Sequence, residues 1–155
     1  MKLQEPVPVL DEGTLELSDQ LCFATYATAH AFNRVYKPLL DPLGLTYPQY
    51  LVLLVLWGRD NLSVKEIGQF LHLDSGTLTP VLKRLEAAGI VRRTRAPEDE
   101  RQVRVSLTAK GQELKEPALK AWREVVCATG LSKEEFGALR GQLEKLRESL
   151  NAFAK

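Results

Sequence analysis

Leu73-Asp74-Ser75-Gly76-Thr77-Leu78-Thr79-Pro80-Val81-Leu82-Lys83-Arg84-Leu85-Glu86, followed by Gly89, is the stretch that decides the fold. Leu78, Val81, Leu82 and Leu85 recur at helical spacing and make one apolar face. Asp74 or Ser75 starts the helix, because either side chain can accept a bond from an otherwise orphaned backbone N–H. Gly89 stops it. The opposite face opens with Ser75, Gly76, Thr77 and Thr79 and continues with Lys83 and Arg84. Small hydroxyl residues can approach base edges there, and the two cations can reach phosphates. Pro80 has no N–H to donate, so a distorted turn is expected near Gly76.

Just upstream, Ser63 and Glu66 form a capping box for a short helix, Val64 to Leu71, and His72-Leu73 leaves room only for a tight turn. Just downstream the period changes. Ile90 to Arg95 and Gln102 to Leu107 read as strands, with Val103, Val105 and Leu107 alternating, and Ala96 to Arg101 reads as the loop between them. Two short helices joined by a tight turn and followed by a hairpin make the winged helix-turn-helix plan, in which the second helix enters the major groove of duplex DNA. The segment Lys83 to Arg104 holds seven Lys or Arg against four acids on a chain of net charge +1, a local basic footprint. Arg95 on the first strand belongs to it. At the wing tip, Asp99 is expected to pair with Arg101 and orient its guanidinium into the minor groove, whose negative potential attracts arginine.

Further out the elements are long helices. Ser18-Asp19 reads as the start of a first helix through Leu21, Ala24, Thr28, Ala31, Val35 and Leu39, with Pro38 a candidate kink. Pro48 suits the first position of a second helix ending at Gly58. Thr108 caps a long helix from Ala109 to about Ala128, with Pro117 a second candidate kink, and Ser132 with Glu135 caps the last helix, to about Ala152. Met1 to Gly13 reads as a flexible tail without the apolar core of a signal peptide. The longest apolar run, Tyr50 to Trp57, falls far short of the roughly 20 residues a spanning helix needs, so no membrane role and a cytoplasmic location are expected. The fold class is mainly α with a small β-hairpin wing.

Cys22 and Cys127 have neither the count nor the spacing of a zinc site, and His30 and His72 have no ligand partner at helical spacing, so neither a metal nor a cofactor is expected. In a reducing compartment the two thiols are either inert or redox-active. Cys22 falls in the first turns of a helix, where the dipole favours a thiolate. Asp19 opposes it, and none of the ten residues before Cys22 is basic. Hydroxyl donors would have to supply the rest of the stabilisation.

The segment Leu73 to Glu86 with Gly89-Ile90-Val91, and Asp99-Glu100-Arg101 with Val103, Val105, Leu107-Thr108 and Gly111, resemble the recognition helix and wing of MarR-type transcription regulators. The resemblance runs from about Ser18 to Leu150. Leu21-Cys22-Phe23-Ala24 with Tyr36 and Tyr47 resembles the OhrR organic-hydroperoxide sensors, and Cys127 their two-cysteine branch. What this implies is a homodimer with intertwined first, fifth and sixth helices on a pseudo-palindromic operator. The resemblance divides residues 14–155 into dimerisation helices (14–45 and 109–155) and a DNA-binding winged helix-turn-helix (46–108). It makes Cys22 the peroxidatic residue, bonded by Tyr36 and Tyr47 of the other subunit, and Cys127 of the other subunit the resolving one, with organic hydroperoxide as effector. Tyr36 lies 14 residues beyond Cys22, about 21 Å on one continuous helix at about 1.5 Å per residue, so the pair can meet only between two antiparallel copies. Two other functions compete. One is a repressor released by a small aromatic ligand in a cleft lined by Phe23, Tyr26, Phe32 and Trp57. The other, which would leave the helix-turn-helix unexplained, is a thiol peroxidase. The expectation is a regulator, not an enzyme.

Overall fold

Helix α1 (Leu21–Leu40) is the first long element of the computed structural model, which describes residues 15–97 and 99–154. The expected tail, residues 1–13, lies outside them. Ser18 does not cap α1. It sits in a separate 3-10 turn, Leu17–Asp19, and Gln20, in extended conformation, makes the entry without a side-chain cap. Cys22 is therefore the second residue of the helix. Pro38 lies in the last turn without ending the helix, which gives way to a second 3-10 turn, Asp41–Leu43, closed by Gly44 at φ +68°.

Helix α2 (Tyr47–Gly58) starts one residue earlier than expected. Thr46 caps it, and Gln49 returns the bond to the Thr46 N–H at 2.9 Å, so Pro48 occupies the second position. After the two-residue strand β1 (Leu62–Ser63), helix α3 (Val64–Leu71) carries the Ser63–Glu66 capping box read from the sequence. His72 turns the chain in the left-handed region at φ 55°. Asp74, not Ser75, caps helix α4 (Ser75–Ala87). The expected distortion near Gly76 does not break α4, which runs unbroken through Pro80. It stops in a Schellman turn at Gly89, with Ile90 N–H on Leu85 O and Gly89 N–H on Glu86 O.

Strands β2 (Val91–Ala96) and β3 (Asp99–Leu107) form the wing, and β1 joins them in an antiparallel sheet of order β1-β3-β2. The expected loop Ala96 to Arg101 is mostly strand. Ala96 pairs with Asp99, and a bulge after Arg95 absorbs the intervening residues of β3. The long helix expected from Ala109 to Ala128 is two helices, α5 (Ala109–Glu113) and α6 (Lys115–Ala128), separated at Leu114. Pro117 has no N–H for the Glu113 carbonyl, which accounts for the break. Helix α7 (Lys133–Phe153) carries the Ser132–Glu135 box as expected.

The core is built around α2. Tyr50, Val52, Leu53 and Leu56 are almost completely buried, together with Ile67, Leu78, Leu82, Leu85 and Val105 from the elements around them. Two glycines let backbones touch. A Cβ on Gly68 would lie 2.5 Å from the Leu73 carbonyl oxygen, and one on Gly111 would overlap the Ile90 carbonyl. In the helix-turn-helix this contact at Gly68 sets how closely the turn folds back on α3. Gly68→Ala should therefore destabilise the protein by about 1–3 kcal/mol, the usual cost of overpacking a tight site. Urea unfolding of this variant against exposed Gln69→Ala checks the expectation, and equal midpoints would contradict it.

Candidate nucleic-acid interface and thiol site

The outer face of α4 begins with bonds that are already made. Asp74 accepts the Thr77 N–H at 2.8 Å and the Thr77 hydroxyl at 2.9 Å, which holds its carboxyl below the usual range. The Thr79 hydroxyl donates to Ser75 O at 2.6 Å. Thr77 and Thr79 therefore offer a groove a methyl group and an acceptor lone pair, while their protons stay inside the helix. The other residues expected to contact DNA here, Ser75, Gly76, Lys83 and Arg84, are exposed on the same element. Leu78, Leu82 and Leu85 are fully buried beneath them and Val81 is half-buried.

The wing stands beside this helix across a polar groove of about 520 Å³, whose walls include Lys65, Gln69, Ser75, Arg101 and Arg104. Ser75 and Arg101 were expected to face DNA. Lys65 and Gln69, which the sequence reading did not single out, line the same groove, and their spacing of four on α3 puts them on one face. Asp99 does bond Arg101, but at its backbone N–H (3.0 Å) and not at its guanidinium, so it shapes the strand and leaves the side chain exposed. The basic segment divides in two. Arg93 is tied to Glu86 on α4 by its Nε (2.8 Å), its Nη2 (2.7 Å) and its backbone N–H (3.1 Å). Arg104 donates to the side chain and carbonyl of Asn61, which turns left-handed ahead of β1. Lys83, Arg84, Arg92, Arg95 and Arg101 are exposed and pair with no described carboxylate.

The second cluster is aromatic. Tyr36 near the end of α1 meets Tyr47 at 5.0 Å and Tyr50 at 5.3 Å between ring centres, and Tyr47 and Tyr50 stand 6.2 Å apart. Tyr50 was missed; it follows Tyr47 by three residues and so shares its face of α2. Burial pushes all three phenols above their ordinary pKa, and each lies close enough to another to add to the shift. All three are neutral hydrogen-bond donors at physiological pH. Among the described residues the Tyr50 hydroxyl is buried and makes no hydrogen bond of good geometry, although the Tyr36 hydroxyl lies close enough to perturb it. Cys22 and Cys127 are free thiols, both exposed. Because α1 is unbroken from Leu21 to Leu40, Cys22 and Tyr36 sit about 21 Å apart along it and cannot meet within one chain. Cys127 lies near the end of α6, where Val125 and Ala128 face Thr28, Phe32 and Val35 of α1.

The four residues expected to line one ligand cleft do not come together in the chain. Trp57 borders a cavity of about 640 Å³ with Leu54, Leu119 and Trp122. Phe32 lines a different groove, beside Leu139, and Phe23 and Tyr26 stand exposed on α1. Tyr26 stacks edge-on against His30 at 4.3 Å.

Comparison with known proteins places this geometry. The family model for the transcriptional regulators SarA/Rot matches residues 34–117. The HTH-type transcriptional regulator TtmR of Methylorubrum extorquens (strain PA1) is 56% identical over 138 residues, which cover 89% of this chain and 71% of TtmR. The organic hydroperoxide resistance transcriptional regulator of Bacillus subtilis (strain 168) is 47% identical over 137 residues, covering 88% and 93%. Among solved structures, reduced AbfR bound to DNA is 38% identical and superposes with a TM-score of 0.78, over 90% of this chain and 95% of that one. AbfR, a Staphylococcus epidermidis protein, is also known in a disulfide form. At the same 38% identity that form superposes with a TM-score of only 0.61, over 88% and 91% of the two chains. The conformation described here is thus nearer to the reduced, DNA-bound one.

Arg101 stands exposed on the wing, and its guanidinium makes no ion pair with a described carboxylate. Arg101→Ala is expected to weaken operator binding by about 1–3 kcal/mol, whereas Arg93→Ala should lower stability as well, since it cuts α4 from β2. Fluorescence anisotropy with a labelled operator at several salt concentrations reads the first effect. Unchanged affinity of Arg101→Ala would refute the assignment.

Proposed function

Because this chain belongs to the MarR-type winged-helix transcription regulators, and among them to the OhrR-type regulators, we propose that it is a homodimeric, redox-sensing repressor of the cytoplasm. In this reading it holds a pseudo-palindromic operator while reduced and releases it when organic hydroperoxide oxidises Cys22. It is a regulator and not an enzyme.

The observation that carries the reading is the placement of opposite chemistries at the two ends of α1. An exposed thiol stands at the start, and a nest of neutral phenols at the end, Tyr36 and Tyr50 buried and Tyr47 half-buried, with the Tyr50 hydroxyl making no well-formed hydrogen bond among the described residues. An antiparallel pair of α1 helices sets Cys22 of one subunit against Tyr36, Tyr47 and Tyr50 of the other. Phenol O–H groups donating to sulfur favour the thiolate over the thiol, which supplies the stabilisation that the sequence around Cys22 lacks. Apolar side chains left uncovered on the long helices, Leu139, Leu143 and Leu150 on α7 among them, support a second copy as their cover.

The chemistry balances. The Cys22 thiolate attacks the terminal oxygen of ROOH. The S–O bond forms as the O–O bond breaks, the alkoxide leaves and takes up a proton as ROH, and Cys22 becomes a sulfenic acid. The thiol of Cys127 in the other subunit gives up its proton as its sulfur attacks the Cys22 sulfur, the S–S bond forms as the S–O bond breaks, and the departing hydroxide takes up that proton as water. Over-oxidised AbfR has been solved bound to DNA. That supports assigning release to the disulfide and not to the added oxygen alone. The two recognition helices, with Ser75, Gly76, Thr77 and Thr79 toward bases and Lys83, Arg84 and Arg95 toward phosphates, then lose their spacing on successive major grooves. The apolar cavity beside Trp57 favours a second reading, release by a small aromatic ligand.

The test is a gel-shift titration paired with a non-reducing gel. Wild type treated with cumene hydroperoxide should leave the operator and run as a covalent dimer. Cys22→Ser should bind the operator and ignore the peroxide. Cys127→Ser should consume peroxide without forming the dimer band. Release of Cys22→Ser at the wild-type dose would overturn the assignment of the sensor. Release of a double Cys22→Ser, Cys127→Ser variant by an aromatic acid would favour the second reading.

A further inference from the structure

We propose that α2 carries the redox signal as a rigid rod, and that the indole N–H of Trp57, bonded to the carbonyl of Gly111, is the positioning group that delivers it to the root of the wing. The inference rests on the redox reading above and adds to it the route from thiol to DNA. Its two ends are separate in the fold. Tyr47 and Tyr50 of the phenol nest lie on the first turn of α2, and Trp57 lies on its last, about 15 Å beyond Tyr47 and about 10 Å beyond Tyr50 at about 1.5 Å per residue. Between them Val52, Leu53 and Leu56 are wholly enclosed. A close-packed interior transmits strain rather than absorbing it, so a push at one end of the helix is carried to the other.

At the far end, Trp57 Nε1–H donates to Gly111 O at 3.0 Å. Among the described residues this is the one side-chain hydrogen bond joining α2 to α5. Helix α5 is in turn fastened to the place where α4 ends and β2 begins. Gly111 packs directly on the Ile90 carbonyl, the Thr108 hydroxyl reaches Gly89 O (2.6 Å) and Ile90 O (3.0 Å), and Lys110 Nζ donates to Ala88 O at 2.7 Å. Whatever moves Gly111 therefore moves the end of the recognition helix and the start of the wing together.

Two more features give this contact freedom to move. The helix is interrupted at the single residue Leu114, so α5 is a separate short helix that touches α6, which bears Cys127 and packs against α1. The cavity beside Trp57 straddles that break, with Gln112 and Glu113 on one side of it and Leu119 and Trp122 on the other. An indole bordered by open volume can tilt without overpacking its neighbours.

The chain has two tryptophans, so Trp122→Phe leaves Trp57 as its sole indole. In this variant the emission of Trp57 should change on addition of cumene hydroperoxide, at the same rate as operator release and after the disulfide appears on a non-reducing gel. Full release with unchanged emission would overturn the inference and leave the redox reading intact. If no disulfide forms, or if it forms without release, the redox reading has failed and this inference falls with it. Trp57→Phe in the otherwise native chain provides the second arm, because it keeps an apolar ring and removes the N–H. Its disulfide should form at the wild-type rate, but the ratio of reduced to oxidised operator affinity should shrink by at least about fivefold, the lower end of a typical coupling. A variant that binds more weakly in both states with the ratio preserved would mark Trp57 as merely structural and would overturn the proposal. Should Trp57→Phe fail to fold, the emission measurement still decides.

Discussion

Helix α2 buries Tyr50, Val52, Leu53 and Leu56 almost completely, and the rest of the molecule is arranged by that burial. Helices α1, α3 and α4 and strand β3 all pack against it. An apolar helix in this position can lower its energy only by staying covered. The phenol nest at one end and the wing root at the other are therefore held in fixed relation to each other. The DNA-reading elements hang from the same support. Leu78, Leu82 and Leu85 press α4 inward, and Glu86 ties it to β2 through Arg93. Recognition helix and wing thus behave as one piece.

Charge is divided by the same logic. Arg93 and Arg104 are spent on holding the wing to α4 and to the segment before β1. Five other cations of the basic segment stay exposed, and of these Arg101 lines the polar groove. A sequence count sees seven equivalent charges, whereas the fold separates those that shape the surface from those that face outward. Asp99 illustrates the same point. Its carboxylate organises the backbone of the wing tip, which frees the Arg101 side chain.

Local signals were legible in the sequence, and non-local ones were not. The capping boxes at Ser63–Glu66 and Ser132–Glu135 need only four adjacent residues, and both were read correctly. The winged helix-turn-helix followed from period changes within one short segment. Strand β1 escaped notice because two residues carry no alternation. The interruption at Leu114 looked like a kink in one helix, since a proline in a first turn and a proline inside a helix read alike until the boundary is known. Tyr36 and Tyr47 were singled out from a resemblance, but Tyr50 and the closeness of all three rings emerged only from the packing of α1 on α2. The Trp57–Gly111 bond spans 54 positions and leaves no local trace at all. The proposed thiol site is harder still, because α1 keeps Cys22 and Tyr36 about 21 Å apart within one chain, and the pattern of a single sequence does not encode a second.

That the redox site is shared between two chains is therefore the central claim, and subunit mixing tests it most directly. Cys22→Ser and Cys127→Ser proteins, each unable to form the disulfide alone, are unfolded together, refolded as mixed dimers and treated with organic hydroperoxide. In a mixed dimer one subunit contributes Cys22 and the other Cys127. The account predicts that a covalent dimer appears on a non-reducing gel in the mixture and in neither parent. A mixture that yields no covalent dimer, while wild type refolded in the same way does, would contradict it.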